Sequence, residues 1–148
     1  IALKHARYTV ASCFYEYDDN EKYLFKLEPR GQMKSSEVIK RAFQILFFRL
    51  EVFKKNVNRR KFTNENQGII TLKNEDHTLG NLIARGLQDH KNIEFAGYKL
   101  EHLLIRDLII EYVTDGGKGI NEILNDVVLY YHKIIKDLEK KVDNLKIK

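Results

Sequence analysis

The sequence has almost no cysteine, proline or tryptophan. Its 148 residues include one proline, no tryptophan and a single cysteine, Cys13. One cysteine excludes an internal disulfide, and without a cysteine pair the common structural zinc sites are not available. The fold must therefore be stabilised by packing, and we expect a reducing compartment.

Long apolar runs are also missing. No uninterrupted apolar stretch reaches the ~18 residues of a membrane span, and the first residues lack the apolar core of a secretion signal. These absences predict a soluble, intracellular protein without a membrane partner. The chain starts at Ile1 and not at methionine, which predicts that it is a piece of a longer polypeptide.

Motifs for catalysis or cofactor binding are not recognisable. The five histidines show no metal-ligand spacing, and the turn DGGKG at 115–119 lacks the four-residue spacer and the following Ser or Thr of a phosphate loop. Triads and paired carboxylates are likewise not found. We expect no catalytic residue, no metal and no cofactor in this chain.

The chain carries a modest excess of basic residues. The net charge is +5, and one basic cluster consists of Lys54, Lys55, Arg59, Arg60 and Lys61. A stand-alone basic nucleic-acid-binding module is therefore one candidate function. No aromatic stacking platform is interleaved with those charges, which favours a solvated linker instead.

The hydrophobic pattern predicts an α+β fold of the order β-β-α, linker, β-α-β-β-α. Short aromatic runs around a polar turn indicate a hairpin, and apolar residues at steps of three and four indicate helices. The predicted strands are 10–17, 23–28, 68–74, 93–100 and 104–114, and the predicted helices are 36–57, 77–89 and 119–146.

Each long helix carries an apolar seam that suits a partner helix. We predict that the two helices pair through these seams, and that Leu138→Asp costs several kcal/mol by burying a charge. The seam residues are Leu46, Leu50 and Phe53 in the first helix, and Tyr131, Ile135, Leu138 and Val142 in the last.

Three segments of the second half carry a family resemblance: NEDHTLGNLI at 74–83, FAGYKLEH at 95–102 and LIIEYVTDG at 108–116. In this order, before a long helix, they resemble the small alpha-like subunit of RNA polymerases, called L in archaea and counted as the eleventh in eukaryotic polymerase II. The first half, with KHARYTVAS at 4–12 and FKLEPRGQM at 25–33, resembles the end of the larger alpha-like partner, the archaeal D or third-largest eukaryotic subunit.

The resemblance implies a fold like the alpha-subunit dimerisation domain. It also implies a fused polypeptide of the kind found in large cytoplasmic DNA viruses, with a D-like part at 1–57, a basic and polar linker at 58–67 and an L-like domain at 68–148. A viral protein of this kind is expected in the host cytoplasm and the virion, a cellular one in the nucleus.

The function implied by the resemblance is non-catalytic assembly of a DNA-directed RNA polymerase. The expected partners are the two large catalytic subunits, small zinc-binding subunits and the remainder of the alpha-like pair, with DNA reached only through the complex. Gly80 and Arg85 are expected on a helix face directed toward a large subunit. The other interface residues implied are His77, Thr78, Leu79, Asn81, Phe95, Gly97, Tyr98 and Lys99.

Overall fold

The computed structural model describes residues 11–18, 22–31, 33–58, 66–100 and 107–144. The predicted α+β fold is confirmed, and the predicted helices and strands occur in the expected order. They are β1 (Ala11–Asp18), β2 (Lys22–Pro29), α1 (Ser35–Asn58), β3 (Gln67–Lys73), α2 (His77–Gln88), β4 (Ile93–Leu100), β5 (Asp107–Thr114) and α3 (Ile120–Asn144). In the part of the chain that the structure describes, every helix is too short or too polar to span a lipid bilayer.

The chain divides into two compact units, Leu46–Ile135 and the residues up to Ile45 together with those from Lys136. This division passes through α1 and α3. The domain boundary predicted at 58–67 falls largely on residues 59–65, which lie outside the described residues, so that boundary stays a prediction.

The larger unit is built on a three-stranded antiparallel sheet in the order β3-β5-β4. Because side chains alternate along a strand, the sheet has two different faces. The inner face packs against α2 and carries buried Ile70, Leu108, Ile110 and Tyr112. The outer face carries the other residues of each strand, including exposed Phe95.

Helix α2 begins with a capped end and packs through an apolar stripe. As predicted, Asp76 is its N-cap, and the carboxylate accepts a hydrogen bond from the Thr78 backbone N–H at 3.0 Å. The stripe contains buried Leu79, Ile83 and Leu87, and Gly86 lies against α3. A small residue is required there, since a Cβ on Gly86 would lie 2.5 Å from Val127 Cγ1.

Helices α1 and α3 pack against each other within the larger unit. The Phe47 ring stacks on the His132 ring, with centroids 3.9 Å apart and planes 18° from parallel. His132 Nδ1 lies 3.5 Å from Glu51 Oε1. Leu50 and Phe53 are buried, as expected for seam residues.

The smaller unit contains the hairpin β1–β2, the start of α1 and the end of α3. Lys40 of α1 forms an ion pair with Asp143 of α3, and Val142 is buried. Leu138, by contrast, is 39% exposed. The prediction that Leu138 is buried in the seam is therefore wrong: helix periodicity places it beside Val142, but burial also requires that another element covers this part of the helix.

The arrangement β-β-α occurs twice, with matching dimensions. β1, β2, β4 and β5 each have eight residues, and α1 and α3 have 24 and 25. The links 30–34 and 115–119 both have five residues, and the second residue of each is a glycine with positive φ. Adding 85 to a residue number in β2 or α1 therefore gives its equivalent in β5 or α3.

The two hairpins also share an ion pair at equivalent positions. Lys26 Nζ lies 2.6 Å from Glu16, and Glu111 lies 2.7 Å from Lys99 Nζ. In the register of the strands, Glu16 is opposite Leu24 and Lys99 is opposite Ile109, so the two pairs correspond with the charges exchanged. The two β-β-α repeats thus share an ion pair as well as the lengths of their strands and helices.

Candidate functional site

The exposed side of α2 is the first part of the predicted interface. Thr78, Asn81 and Arg85 lie three or four residues apart and are exposed, which places them on one polar stripe. Arg85 is 68% exposed, and its Nε lies 3.3 Å from Asp89 Oδ2. The far edge of the guanidinium therefore faces solvent, in position to bond an external acceptor.

Gly80 lies on the opposite side of α2, against this chain's own sheet. A Cβ at this position would come within 2.6 Å of Leu108 Cδ1 and of Tyr98 Cδ2. The prediction that Gly80 shares the outward face of Arg85 is therefore wrong. The two residues are five apart, about 140° around the helix, and the glycine is what lets the sheet approach α2.

The predicted interface residues of β4 are divided between the two sheet faces. Tyr98 lies on the inner face, where its ring meets His77 at a centroid distance of 5.8 Å in an edge-on contact. Phe95, Gly97 and Lys99 lie on the outer face, with the Phe95 ring next to Gly97. These four residues thus cannot form a single contact surface.

The helix seam is the third part of the predicted interface. Leu50, Phe53, Ile135 and Val142 are buried, in contrast to Leu138. The remaining seam residues, Leu46 and Tyr131, are half-buried, and Leu79 of α2 is fully buried within the larger unit.

A link between α1 and the start of α2 was missed by the sequence interpretation. Arg49 Nη2 lies 2.5 Å from Glu75 Oε2 and 2.8 Å from Asp76 Oδ1. One guanidinium thus bridges two carboxylates, one of which caps α2. The only signal in the sequence was an arginine at position 49 within an apolar helix. Its two partners are 26 and 27 residues away, so local patterns do not identify them.

This link gives the stability of the larger unit a defined acid dependence. The hydrogen bond from Arg49 holds the pKa of Asp76 below its ordinary value of 3.8. A depressed pKa in the folded state stabilises the fold above the unfolded-state pKa, and this contribution is lost as the pH falls through the folded-state value. We expect the Arg49→Met variant to be less stable than the parent near neutral pH, with a difference that shrinks below about pH 4.

Urea unfolding of both proteins between pH 7 and pH 2.5 measures this difference. Methionine retains most of the apolar stem, so the comparison isolates the charge. A stability difference that stays constant over the whole range would show that the ionised Asp76 does not contribute through Arg49.

An open groove of about 470 Å³ borders the link between α1 and α2. Its walls combine apolar and polar groups without a convergent set of acids, bases or nucleophiles. They are formed by Phe53, Asn56, Thr71, Leu72, Lys73, Glu75 and Leu79. Within the described residues, no group of three or more His, Cys, Asp or Glu side chains is arranged to hold a metal ion.

Residues 67–146 match the RNA polymerase Rpb3/Rpb11 dimerisation domain. The chain belongs to this family of RNA polymerase subunit domains. The matched residues include β3, α2, β4, β5 and α3, so the family assignment covers the three-stranded sheet and both helices that follow its strands.

Relatives of this dimerisation domain come from a virus, an archaeon and a yeast. The chain is 30% identical over 145 residues to a DNA-directed RNA polymerase subunit of Acanthamoeba polyphaga mimivirus, which covers 93% of this chain and 40% of the viral protein. It is 36% identical over 80 residues to subunit Rpo11 of Metallosphaera sedula, covering 51% of this chain and 89% of that protein.

The relative from Schizosaccharomyces pombe is RNA polymerase II subunit RPB11. The identity is 41% over 49 residues, which are 33% of this chain and 40% of the yeast protein. The chain therefore spans most of an archaeal Rpo11 but only two fifths of the mimivirus subunit.

Proposed function

We propose that this chain is a non-catalytic assembly subunit of an intracellular DNA-directed RNA polymerase. In this proposal residues 1–57 are the end of a D-type subunit, 58–67 a linker and 68–148 an L-type subunit, joined as in large cytoplasmic DNA viruses. The observation that carries it is the mimivirus alignment, which runs through both parts over 145 residues, whereas the Metallosphaera alignment covers 80.

The repeated β-β-α arrangement supports the fused pair. Two related subunits that associate around a two-fold axis bring equivalent positions face to face. Phe47 and His132 are equivalent by the 85-residue offset, and their rings stack at 3.9 Å. A fused D-type and L-type pair accounts for this contact, because each partner would contribute one long helix.

The proposed mechanism is recruitment through shape, buried area and charge. The paired helices hold the platform together, through Leu46, Leu50, Phe53, Tyr131, Ile135 and Val142. The platform then binds two large catalytic subunits, small zinc-binding subunits and the remainder of the alpha-like pair. DNA is contacted only by the assembled enzyme, and no membrane is involved.

The polar stripe of α2 is the proposed contact with a large catalytic subunit. An exposed guanidinium next to small polar groups can donate several hydrogen bonds to a carboxylate or to backbone carbonyls. The stripe also lies on the opposite side of α2 from the buried Leu79 and Gly80, so a partner can bind it without disturbing the packing of the sheet.

Arg85→Ala should weaken recruitment of the large subunits while the protein stays folded. The intramolecular pair with Asp89 is exposed and contributes at most about 0.5 kcal/mol, so stability should hardly change. Loss of a charge-assisted contact at an interface is expected to reduce affinity about tenfold or more, and more strongly at low salt.

The measurement is pull-down of the large subunits at graded salt, with circular dichroism as the folding control. Arg41→Ala is the matched variant, since it removes an exposed arginine from α1. Equal recruitment by the parent and the Arg85→Ala protein would mean that this arginine is an ordinary surface residue.

Steep salt-dependent binding of DNA or RNA by the isolated chain would instead favour the nucleic-acid-binding alternative.

A further inference from the structure

Arg49 of α1 bonds both acidic residues that precede α2. The same nitrogen, Nη2, lies 2.5 Å from Glu75 Oε2 and 2.8 Å from Asp76 Oδ1. The two carboxylates are thus close together, and they would repel each other without the guanidinium between them. The Arg49 and Glu75 side chains are only 25% and 20% exposed, so salt screens this part of the bridge weakly. The positions of both carboxylates therefore depend on where α1 places Arg49.

The link between β3 and α2 consists of the three residues Asn74, Glu75 and Asp76. Asn74 has a φ of 59°, in the left-handed region that few residues other than glycine adopt without cost. Asp76 then caps the helix by accepting a hydrogen bond from the Thr78 backbone N–H. Because both acids of this link are bonded to Arg49, α1 holds the unusual backbone conformation in place.

The first turn of α2 is fastened differently from the later turns. The open groove of about 470 Å³ lies beside the link, and its walls include Phe53 of α1, Glu75 and Leu79. Apolar packing thus leaves space between α1 and the start of α2. Further along the helix, Ile83 and Leu87 are buried in the core. The first turn therefore depends on the ionic bridge more than the later turns do.

We infer that Arg49 is a positioning residue, which holds the first turn of α2 in the orientation that a large catalytic subunit binds. This inference rests on the proposed function, in which the polar stripe of α2 is the contact with that subunit. In the proposed division of the chain, α1 belongs to the D-type part and α2 to the L-type part. A residue from one half thus completes the binding surface of the other. Thr78 lies in the first turn and depends on Arg49, whereas Arg85 lies two turns later and does not.

Arg49→Met in the natural polypeptide should weaken recruitment of the large subunits by about 5- to 150-fold, the usual range of coupling between two sites. Methionine keeps the apolar stem but cannot bond the carboxylates. Pull-down with graded amounts of the large subunits measures the change, with circular dichroism as the folding control. Lys40→Met is the matched variant, because it removes another cation of α1, the partner of Asp143, and should recruit as the parent does.

An exchange of charges tests whether the bridge itself is required. Arg49→Glu combined with Glu75→Arg keeps one guanidinium between two carboxylates, with Asp76 unchanged. This double variant should recover most of the lost recruitment. Arg49→Glu alone brings three carboxylates together and should recruit less than Arg49→Met.

A double-mutant cycle separates positioning from a general loss of stability. Thr78→Ala should weaken recruitment by the parent and have little further effect in the Arg49→Met protein. Arg85→Ala should weaken recruitment by both proteins by the same factor. If Arg49→Met loses helix content, Arg49→Lys takes its place, since an ammonium group keeps the charge without the fork that bonds both acids.

Three outcomes would overturn the inference while the parent still recruits the large subunits. They are equal recruitment by the parent and the folded Arg49 variant, independent effects of the Arg49 and Thr78 substitutions, and no recovery in the exchanged variant. A parent polypeptide that recruits no large subunit would instead overturn the proposed function.

Discussion

Replacing Ile135 by alanine should lower the free energy of unfolding by about 2–5 kcal/mol, the usual cost of truncating a fully buried aliphatic side chain. Ile135 lies on the seam of α3 and is 4% exposed. The removed methyl and methylene groups leave a cavity that the packed helices can only partly close. Urea unfolding measures the loss, with unchanged helix content at zero denaturant as the check that the variant folds.

Leu138→Ala is the matched control, one turn further along α3. Because Leu138 is 39% exposed, its truncation should cost less than about 1 kcal/mol. Equal losses from the two substitutions would mean that α3 presents a different face to its neighbours, and the corrected position of the seam would be wrong.

Gly80→Ala should destabilise the protein by about 1–3 kcal/mol, the usual cost of overpacking a core. Helix propensity alone predicts the opposite sign, since alanine is more favourable than glycine in a helix by about 1 kcal/mol. The added Cβ would lie 2.6 Å from atoms of Leu108 and Tyr98, and the Leu108 side chain is fully buried, so it has little room to move away. Gly80→Val, with a larger side chain, should cost more.

Asn81→Ala, next in the same helix, separates these opposing effects. Asn81 is exposed, so the substitution should raise stability slightly through helix preference alone. Thermal unfolding of both variants is sufficient for the comparison. A Gly80→Ala protein that is as stable as the Asn81→Ala protein would show that α2 does not need the close approach to the sheet.

The secondary structure followed from local patterns because each element has a strong period and a clear end. The polar turn between two aromatic runs located the hairpin, and Asp76 before an apolar helix located the start of α2. Helix periodicity also identified Leu50 and Ile135 as buried. These features depend on residues that are close in sequence, so the sequence alone contains them.

The directions of single side chains depended on contacts between distant residues. Gly80 and Arg85 belong to the same short helix, yet the sheet decides which of them is buried. The bridge from Arg49 to Glu75 and Asp76 joins segments that the linear pattern treats separately. Leu138 has the same place in the apolar spacing of α3 as the buried Phe53 has in α1, so its exposure depends on which elements cover that part of the helix.

The repeat of β-β-α is also present in the sequence, in the spacing of apolar residues. The apolar positions of α1 and α3 correspond at a constant offset of 85, as Leu50 with Ile135 and Val57 with Val142 illustrate. The residue types at equivalent positions often differ, as Phe47 and His132 do, and this makes the repeat hard to recognise in the sequence. The equal strand lengths and the positive-φ glycines of the two links make it evident in the structure.

The most direct test of the assembly role is the composition of the complex that contains this chain. The chain is tagged in its natural polypeptide, isolated at moderate salt and analysed by native mass spectrometry. We predict one copy of this polypeptide with one copy of each of two large catalytic RNA polymerase subunits, and no separate D-type or L-type subunit. Isolation of the polypeptide without large subunits, or together with separate D-type and L-type chains, would contradict the account.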